Sequence, residues 1–376
     1  MSDPIYLDHN ATTPLLPAVV EAMLPYLREH FGNPSSGHVY GRRAREAVEA
    51  AREQVAALIG AAPSEIVFTS GGTEANNLAI QGAAAALAHK RHVVTSVIEH
   101  PATANPCRLL EIHGSSVTWL PVDGTGRIRV EDVRGAVTDR TALVTLMHAN
   151  NETGTIQPIA GIVPAIRAAG ALLHTDAAQS AGKLAVRVDV LGVDLLSIAG
   201  HKLYAPKGVG ALYVRSGTTL EPVLWGAGHE RGLRPGTENV AAIVGLGKAC
   251  EIAAASLADE SRRVRSLRDD LWRALREQVP GLALNGHEVE GLPNTLNVRF
   301  PGIRGSAVLA GAPGIAASTG SACHEGGESA SAVLLAMGLS ADEALGSVRL
   351  SLGRGTTAED VHRAAEMLVR SWERRS

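Results

Sequence analysis

At 376 residues the chain is longer than one compact core ordinarily supports, and it suits a large domain with a smaller companion. With 45% hydrophobic and 19% charged residues it has the composition of an ordinary globular protein, and a formal charge of -3 argues against nucleic acid as a main partner. Residues 1–14 lack the basic start and apolar centre of a leader, and no run reads as a membrane span. A cytoplasmic protein without membrane attachment is therefore expected.

The N-terminal Ile5-Tyr6-Leu7-Asp8-His9-Asn10-Ala11-Thr12-Thr13-Pro14 reads as an extended arm and a turn, with a helix starting at Pro17. After the polar loop Asn33-Pro34-Ser35-Ser36, Ala44, Ala47, Val48, Ala51, Val55, Leu58 and Ile59 recur at helical spacing. From Ile66 the pattern becomes strand, loop, helix, repeated. Ile66 to Thr69, His92 to Ile98, Val117 to Val122, Ala142 to Met147, Ala171 to Thr175 and Val193 to Ile198 are short apolar runs separated by helical or turn-rich sequence. This alternation predicts an α/β domain with a largely parallel sheet, and Gly210 to Val214 reads as an edge strand. Helical periodicity dominates Val240 to Val279. Thr295 to Phe300, Val348 to Ser351 and an amphipathic helix from Ala358 predict a smaller α+β domain. The expected division is 16–255 for the large domain, and 1–15 with 256–376 for the small one.

In sheets of this kind ligands lie beyond the carboxyl ends of the strands, so the strand ends are read together. They carry Gly71-Gly72-Thr73, His100, Asn150-Asn151-Glu152, Asp176-Ala177-Ala178-Gln179 and Gly200-His201-Lys202. Each alone is most simply a cap, a turn residue or a solvated lysine. Together they match one chemistry, that of pyridoxal phosphate. Lys202 would form the Schiff base, Asp176 would keep a pyridine nitrogen protonated, and His100 would stack on the ring and exchange protons. Gln179 and Asn151 would hydrogen-bond ring substituents. Thr73 and the N–H groups after the glycine pair would hold the phosphate. The three cysteines, Cys107, Cys250 and Cys323, suit neither a disulfide framework nor a zinc site, and no metal is expected. Cys107 and Cys250 fall in apolar helical sequence. Cys323 falls in the loop Ser318-Thr319-Gly320-Ser321-Ala322-Cys323-His324-Glu325-Gly326-Gly327, where a thiol beside a histidine is a candidate nucleophile.

On these motifs, with Arg234-Pro235-Gly236-Thr237-Glu238-Asn239, the chain resembles the cysteine desulfurase and selenocysteine lyase family, class V of the fold type I pyridoxal-phosphate enzymes. The resemblance runs nearly end to end. It implies an α/β fold of that type, a mostly parallel mixed sheet plus a smaller α+β domain, and a homodimer. It places the cofactor on Lys202 and Asp176, with Gln179, Asn151, Gly72, Thr73 and His201 around it, His100 stacked as acid and base, and Thr237 reaching a phosphate across the dimer interface. On the substrate side it implies Arg349 for the carboxylate, with Arg354 as second choice and Asn33 and Asn10 beside them. Cys323 is the implied nucleophile, taking sulfur from L-cysteine to leave L-alanine and a persulfide. A sulfur or selenium acceptor protein would be the further partner.

Two departures bear on the substrate. Ala199 stands where many desulfurases have a serine that contacts the phosphate, and His324 follows Cys323 where a small hydroxyl residue is common. Both, with Ser331-Ala332-Val333-Leu334-Leu335, look closer to selenocysteine lyases. Release of selenium from L-selenocysteine is the alternative reaction, and another class V C–S lyase or an aminotransferase is a further one.

Overall fold

The computed structural model describes residues 3–319 and 329–374. The arm contributes β1 (Ile5–Tyr6), followed by helices α1 (Pro17–Arg28) and α2 (Val39–Ile59). A run of alternating elements follows: β2 (Ile66–Thr69), α3 (Gly72–Ala86), β3 (His92–Ser96), α4 (Pro101–Ile112), β4 (Ser116–Leu120), α5 (Val130–Ala136) and β5 (Thr141–Met147). It continues through α6 (Ile159–Ala168), β6 (Leu172–Asp176), α7 (Val188–Leu191), β7 (Leu195–Ala199) and β8 (Gly210–Val214) to the long helix α8 (Val240–Gln278). Beyond it lie β9 (Ala283–Leu284), β10 (Thr295–Arg299), β11 (Ile315–Ala316), β12 (Ser347–Ser351) and the helix Ala358–Glu373.

The main sheet has the order β2-β8-β7-β6-β5-β3-β4. Only the pairings of β8 with β2 and β7 are antiparallel, so the other six strands run the same way and end on the same side. Period-two alternation sorts their side chains between the two faces. Val67, Val93, Leu143, Leu195 and Leu212 pack with α3 on one face, while Phe68, Val94, Val144, Leu196 and Ala211 join α2, α6 and α8 on the other.

The expectation of an edge strand at Gly210–Val214 is corrected. β8 lies inside the sheet and is buried along its length, because β2 adds antiparallel on its outer side. The edge of β2 is covered instead by charged side chains. Arg52 Nη1 and Arg231 Nη2 donate to the Ile66 carbonyl at 2.9 and 2.8 Å, and the Phe68 N–H donates to Glu230 Oε2 at 2.8 Å. The buried Arg52–Glu230 pair, 2.8 Å apart, fixes the segment from which these groups come. Such a cover removes an exposed pairing edge.

A second correction concerns α8, whose apolar N-terminal part is by length and composition sufficient to cross a bilayer. More than half of that stretch is buried within the fold. Gly247 explains the close approach there: a Cβ at that position would lie 2.6 Å from the Ala51 Cα on α2. Cys107 and Cys250 are buried free thiols, and burial raises the pKa of both, that of Cys107 to about 12.

One hydrophobic core gathers residues from Val19 to Ala253, and a second gathers Ile5, Leu7 and residues from Val264 to Val369. α8 runs through both. On that basis we propose the division 16–255 against 1–15 with 256–376. In the second unit β10 lies between β12 and β9, and β1 pairs with β11 at Ile5↔Ile315. The arm, anchored on this unit, lies against the carboxyl ends of the main sheet, where its carbonyls meet Lys202 and Gln179.

Candidate active site

At the end of β7 the chain turns through Gly200–Lys202. Lys202 Nζ donates to the backbone carbonyls of Asn10 at 2.6 Å and Ala11 at 2.7 Å. Burial, then the Arg349 charge, pushes the Lys202 pKa down to about 8 against the pull of Asp176 and Asp8. Asp176, at the end of β6, is buried. Its Oδ2 accepts from Asn76 Nδ2 at 2.7 Å and its Oδ1 from the Ala178 N–H at 2.9 Å.

Gln179 follows in the next turn. Its Nε2 donates to the Asn10 carbonyl at 3.0 Å, and its Oε1 accepts from Lys183 Nζ at 3.0 Å. His100 is the N-cap of α4, and its Nδ1 accepts from the Ala102 N–H at 3.1 Å. A neutral ring in that contact carries its proton on Nε2. Burial lowers the His100 pKa, Asp176 opposing this and Lys202 adding to it.

The start of α3 forms an anion cradle. Gly71 has φ +152, and among the described residues nothing fills the space where its Cβ would point and no side chain caps the helix. The first N–H groups after it, at Gly72 and Thr73, are available to an anion, and Thr73 is exposed. A Cβ on Gly72 would come within 3.1 Å of the Ala199 Cβ, so Ala199 lies beside this cradle. His201 Nδ1 lies 3.2 Å from Thr12 Oγ1, and burial followed by Lys202, Lys207, His100 and Lys183 lowers its pKa to about 4. Thr237 is exposed, in a segment tied to α3 by Arg234 Nε donating to Glu74 Oε1 at 2.8 Å.

On the far side, Arg349 in β12 donates through Nη2 to Asp8 Oδ1 at 2.7 Å and through Nη1 to the Asn151 carbonyl at 3.1 Å. Its buried Nε has no hydrogen-bond partner among the described residues. Asn10 is the hub: its Nδ2 donates to Thr295 Oγ1 at 2.8 Å and to the Asn151 carbonyl at 3.2 Å, and its Oδ1 accepts from Asn294 at 3.0 Å. Lys202, Gln179, Asn10, Asn151 and Arg349 thus form one connected cluster. Of the four substrate-side candidates, Arg354 and Asn33 stand outside it. Arg354 donates to Ser256 Oγ at 2.8 Å and lies over the Tyr204 ring, and the exposed Asn33 accepts from the Ser35 N–H at 2.9 Å. Cys323 and His324 lie outside the described residues.

Two members of the site went unread in the sequence. Asn76 orients Asp176 and lies one helical turn after Gly72, a spacing that could have shown it. Lys183 is four residues after Gln179, and burial, then Lys202 and Arg349, pushes its pKa down to about 7. No local motif marks it.

The donor set fits pyridoxal phosphate: a buried carboxylate for the ring nitrogen, an amide for a ring oxygen, an imidazole for the ring face, an uncapped helix start for the phosphate and a primary amine for the aldehyde. A lysine and an aspartate at neighbouring strand ends of this sheet define a fold type I pyridoxal-phosphate enzyme. The model of the family "Aminotransferase class-V" matches residues 5–364. The cysteine desulfurase of Trichormus azollae is 48% identical over 372 residues, covering 98% of this chain and 93% of that one. A solved NifS-like protein superposes with a TM-score of 0.91 at 38% identity, covering 98% of each chain. The structure of SspA in complex with cysteine gives a TM-score of 0.82 at 39% identity, over 92% of this chain and 98% of that one. The chain belongs to the cysteine desulfurase family of class V aminotransferases. The fold class and cofactor expected from the sequence are those of this family.

Proposed function

We propose that this protein is a cysteine desulfurase converting L-cysteine to L-alanine, with Cys323 receiving the sulfur. The observation that carries the reading is 48% identity, along nearly the whole chain, with a protein named a cysteine desulfurase. The cluster around Asn10 supports it by bringing an amine, a carboxylate and a guanidinium into one network.

Bound at Lys202, pyridoxal phosphate supplies an electron sink for the substrate's α-carbon. Asp176, oriented by Asn76 and the Ala178 N–H, would hold a proton on the ring nitrogen. Arg349 receives the substrate carboxylate, a task for which a planar two-pronged donor is suited. Its present partner, the Asp8 carboxylate at 2.7 Å, must share that guanidinium or give way. Lys202 would hold the cofactor and move the substrate's α-proton, a task suited to an amine whose pKa of about 8 lets it gain and lose protons near neutrality. The Cys323 thiolate attacks the substrate sulfur: the carbon–sulfur bond breaks, a sulfur–sulfur bond forms, and a proton completes the methyl group of alanine. One cysteine and one thiol give one alanine and one persulfide, which an acceptor protein then discharges.

We infer a homodimer, supported by the exposed Thr237 and by Phe31 and Trp225, which are 80% and 83% exposed. A cytoplasmic location is proposed from the sequence alone. The deciding experiment measures alanine released from L-cysteine and from L-selenocysteine by the wild type and Cys323→Ser. Loss of alanine from cysteine in the variant is expected. Undiminished release would favour a C–S lyase without a persulfide, and turnover of selenocysteine alone would favour the selenocysteine lyase reading.

A further inference from the structure

Lys183 touches the network from behind. Its Nζ donates to Gln179 Oε1 at 3.0 Å and lies 3.4 Å from Asn10 Oδ1. With Tyr204, Glu260 and Arg354 it also lines a small recess. After burial, the charges of Lys202 and Arg349 are what lower the pKa of its amine.

A glutamine amide has two nearly isosteric orientations, and turning it exchanges a donor edge for an acceptor edge. The Asn10 main-chain carbonyl can only accept, so the amide atom facing it is Nε2, and Oε1 faces the Lys183 amine, which can donate to it in either protonation state. Nε2 is then turned to the other side, where it meets the Asn10 carbonyl, the same carbonyl that receives Lys202 Nζ. Asn10 cannot readily shift to accommodate the opposite orientation, because Thr295, Asn294 and the Asn151 carbonyl hold its side chain.

We propose that Lys183 is a positioning residue that locks the Gln179 amide with its N–H edge toward Lys202 and the cofactor's ring oxygen. The inference rests on the reading that Lys202 carries pyridoxal phosphate. Without Lys183 the amide keeps only the Nε2 contact to the Asn10 carbonyl, and its N–H edge is less firmly directed at the oxygen that needs a donor. Lys183 therefore acts through Gln179 rather than on the substrate, and its removal changes the Lys202 linkage before it changes substrate affinity.

The test uses the holoenzyme and follows the pH titration of its imine absorption band, together with the Kd for pyridoxal phosphate after the cofactor is resolved and restored. Lys183→Met should shift the titration midpoint by about one pH unit in the same direction as Gln179→Ala. Lys183→Arg, which keeps the donor, should restore the wild-type midpoint. The double variant Lys183→Met/Gln179→Ala should match Gln179→Ala alone, since residues acting through one contact are not additive. A wild-type midpoint in Lys183→Met, or full additivity in the double variant, would overturn the proposal. Should Lys183→Met not fold, Lys183→Gln serves in its place: an intermediate shift is expected, and an unshifted midpoint again overturns it. A wild-type protein without a reducible cofactor band would instead refute the cofactor reading itself.

Discussion

On one side of the site, Asp176 and Lys202 stand at or just past the ends of strands held in a seven-stranded sheet, with Gln179 in the next turn. On the other side, Asp8, Asn10 and Ala11 belong to an arm whose named strand is two residues long. The sheet side presents side chains whose positions follow from the ladder. The arm side works through backbone carbonyls, which hold Lys202 and Gln179, and through Asp8, which occupies Arg349. Asp176 and Lys202 on the sheet side should therefore govern the chemical step, and Arg349, whose guanidinium the arm's Asp8 engages, should govern how substrate enters.

The sharpest way to break that contrast is Asp176→Asn. A neutral amide cannot sustain the ring proton, so kcat should fall by about 10²- to 10³-fold with little change in KM, as expected for electrostatic support lost at the reacting centre. Steady-state kinetics decide it, and a rise in KM at constant kcat would contradict the division. Arg349→Lys should do the reverse. A point charge replaces a planar fork, and KM for cysteine should rise by roughly 10- to 100-fold while kcat changes less.

The third expectation concerns pH. Burial and Arg349 lower the Lys202 pKa to about 8, and only the unprotonated amine attacks an aldehyde. The rate at which cofactor-free protein takes up pyridoxal phosphate should rise with pH to a plateau, with a midpoint near pH 8. A midpoint near that of an ordinary lysine, above pH 10, would show that the amine is not confined as described. The smallest effect belongs to Ala199→Ser. A hydroxyl placed beside the start of α3 should add about one hydrogen bond to the phosphate, tightening cofactor binding by roughly 3- to 10-fold in a fluorescence titration.

The same contrast explains what could be read from the sequence. Apolar runs bounded by turn residues located every strand of the main sheet, and the polar residues just past them included Asp176, Gln179, His100 and Lys202. Strand periodicity carries no information about neighbours, however, so β8 was misread as an edge. The residues that cover the real edge come from α2 and from Glu230 and Arg231, over 160 positions from β2. The arm's role depends on main-chain carbonyls, which have no side-chain signature. Arg349 and Asn10 were reached through family resemblance rather than pattern, and the engagement of Arg349 by Asp8 needed the three-dimensional arrangement. Lys183 is the clearest omission. It is an ordinary lysine in a turn by sequence, and only its confinement between Gln179 and Asn10 gives it a role.

Two amines of lowered pKa now lie in one site, Lys183 near 7 and Lys202 near 8. On acidity alone the more readily deprotonated Lys183 would be the better nucleophile toward the cofactor aldehyde. Placement argues the other way, since Lys202 ends a strand at the sheet rim and Lys183 has the Gln179 amide in front of it. Borohydride reduction of the holoenzyme followed by peptide mapping distinguishes them directly. The pyridoxyl group is predicted on Lys202 alone, and its recovery on Lys183 would contradict the assignment on which the proposed chemistry depends.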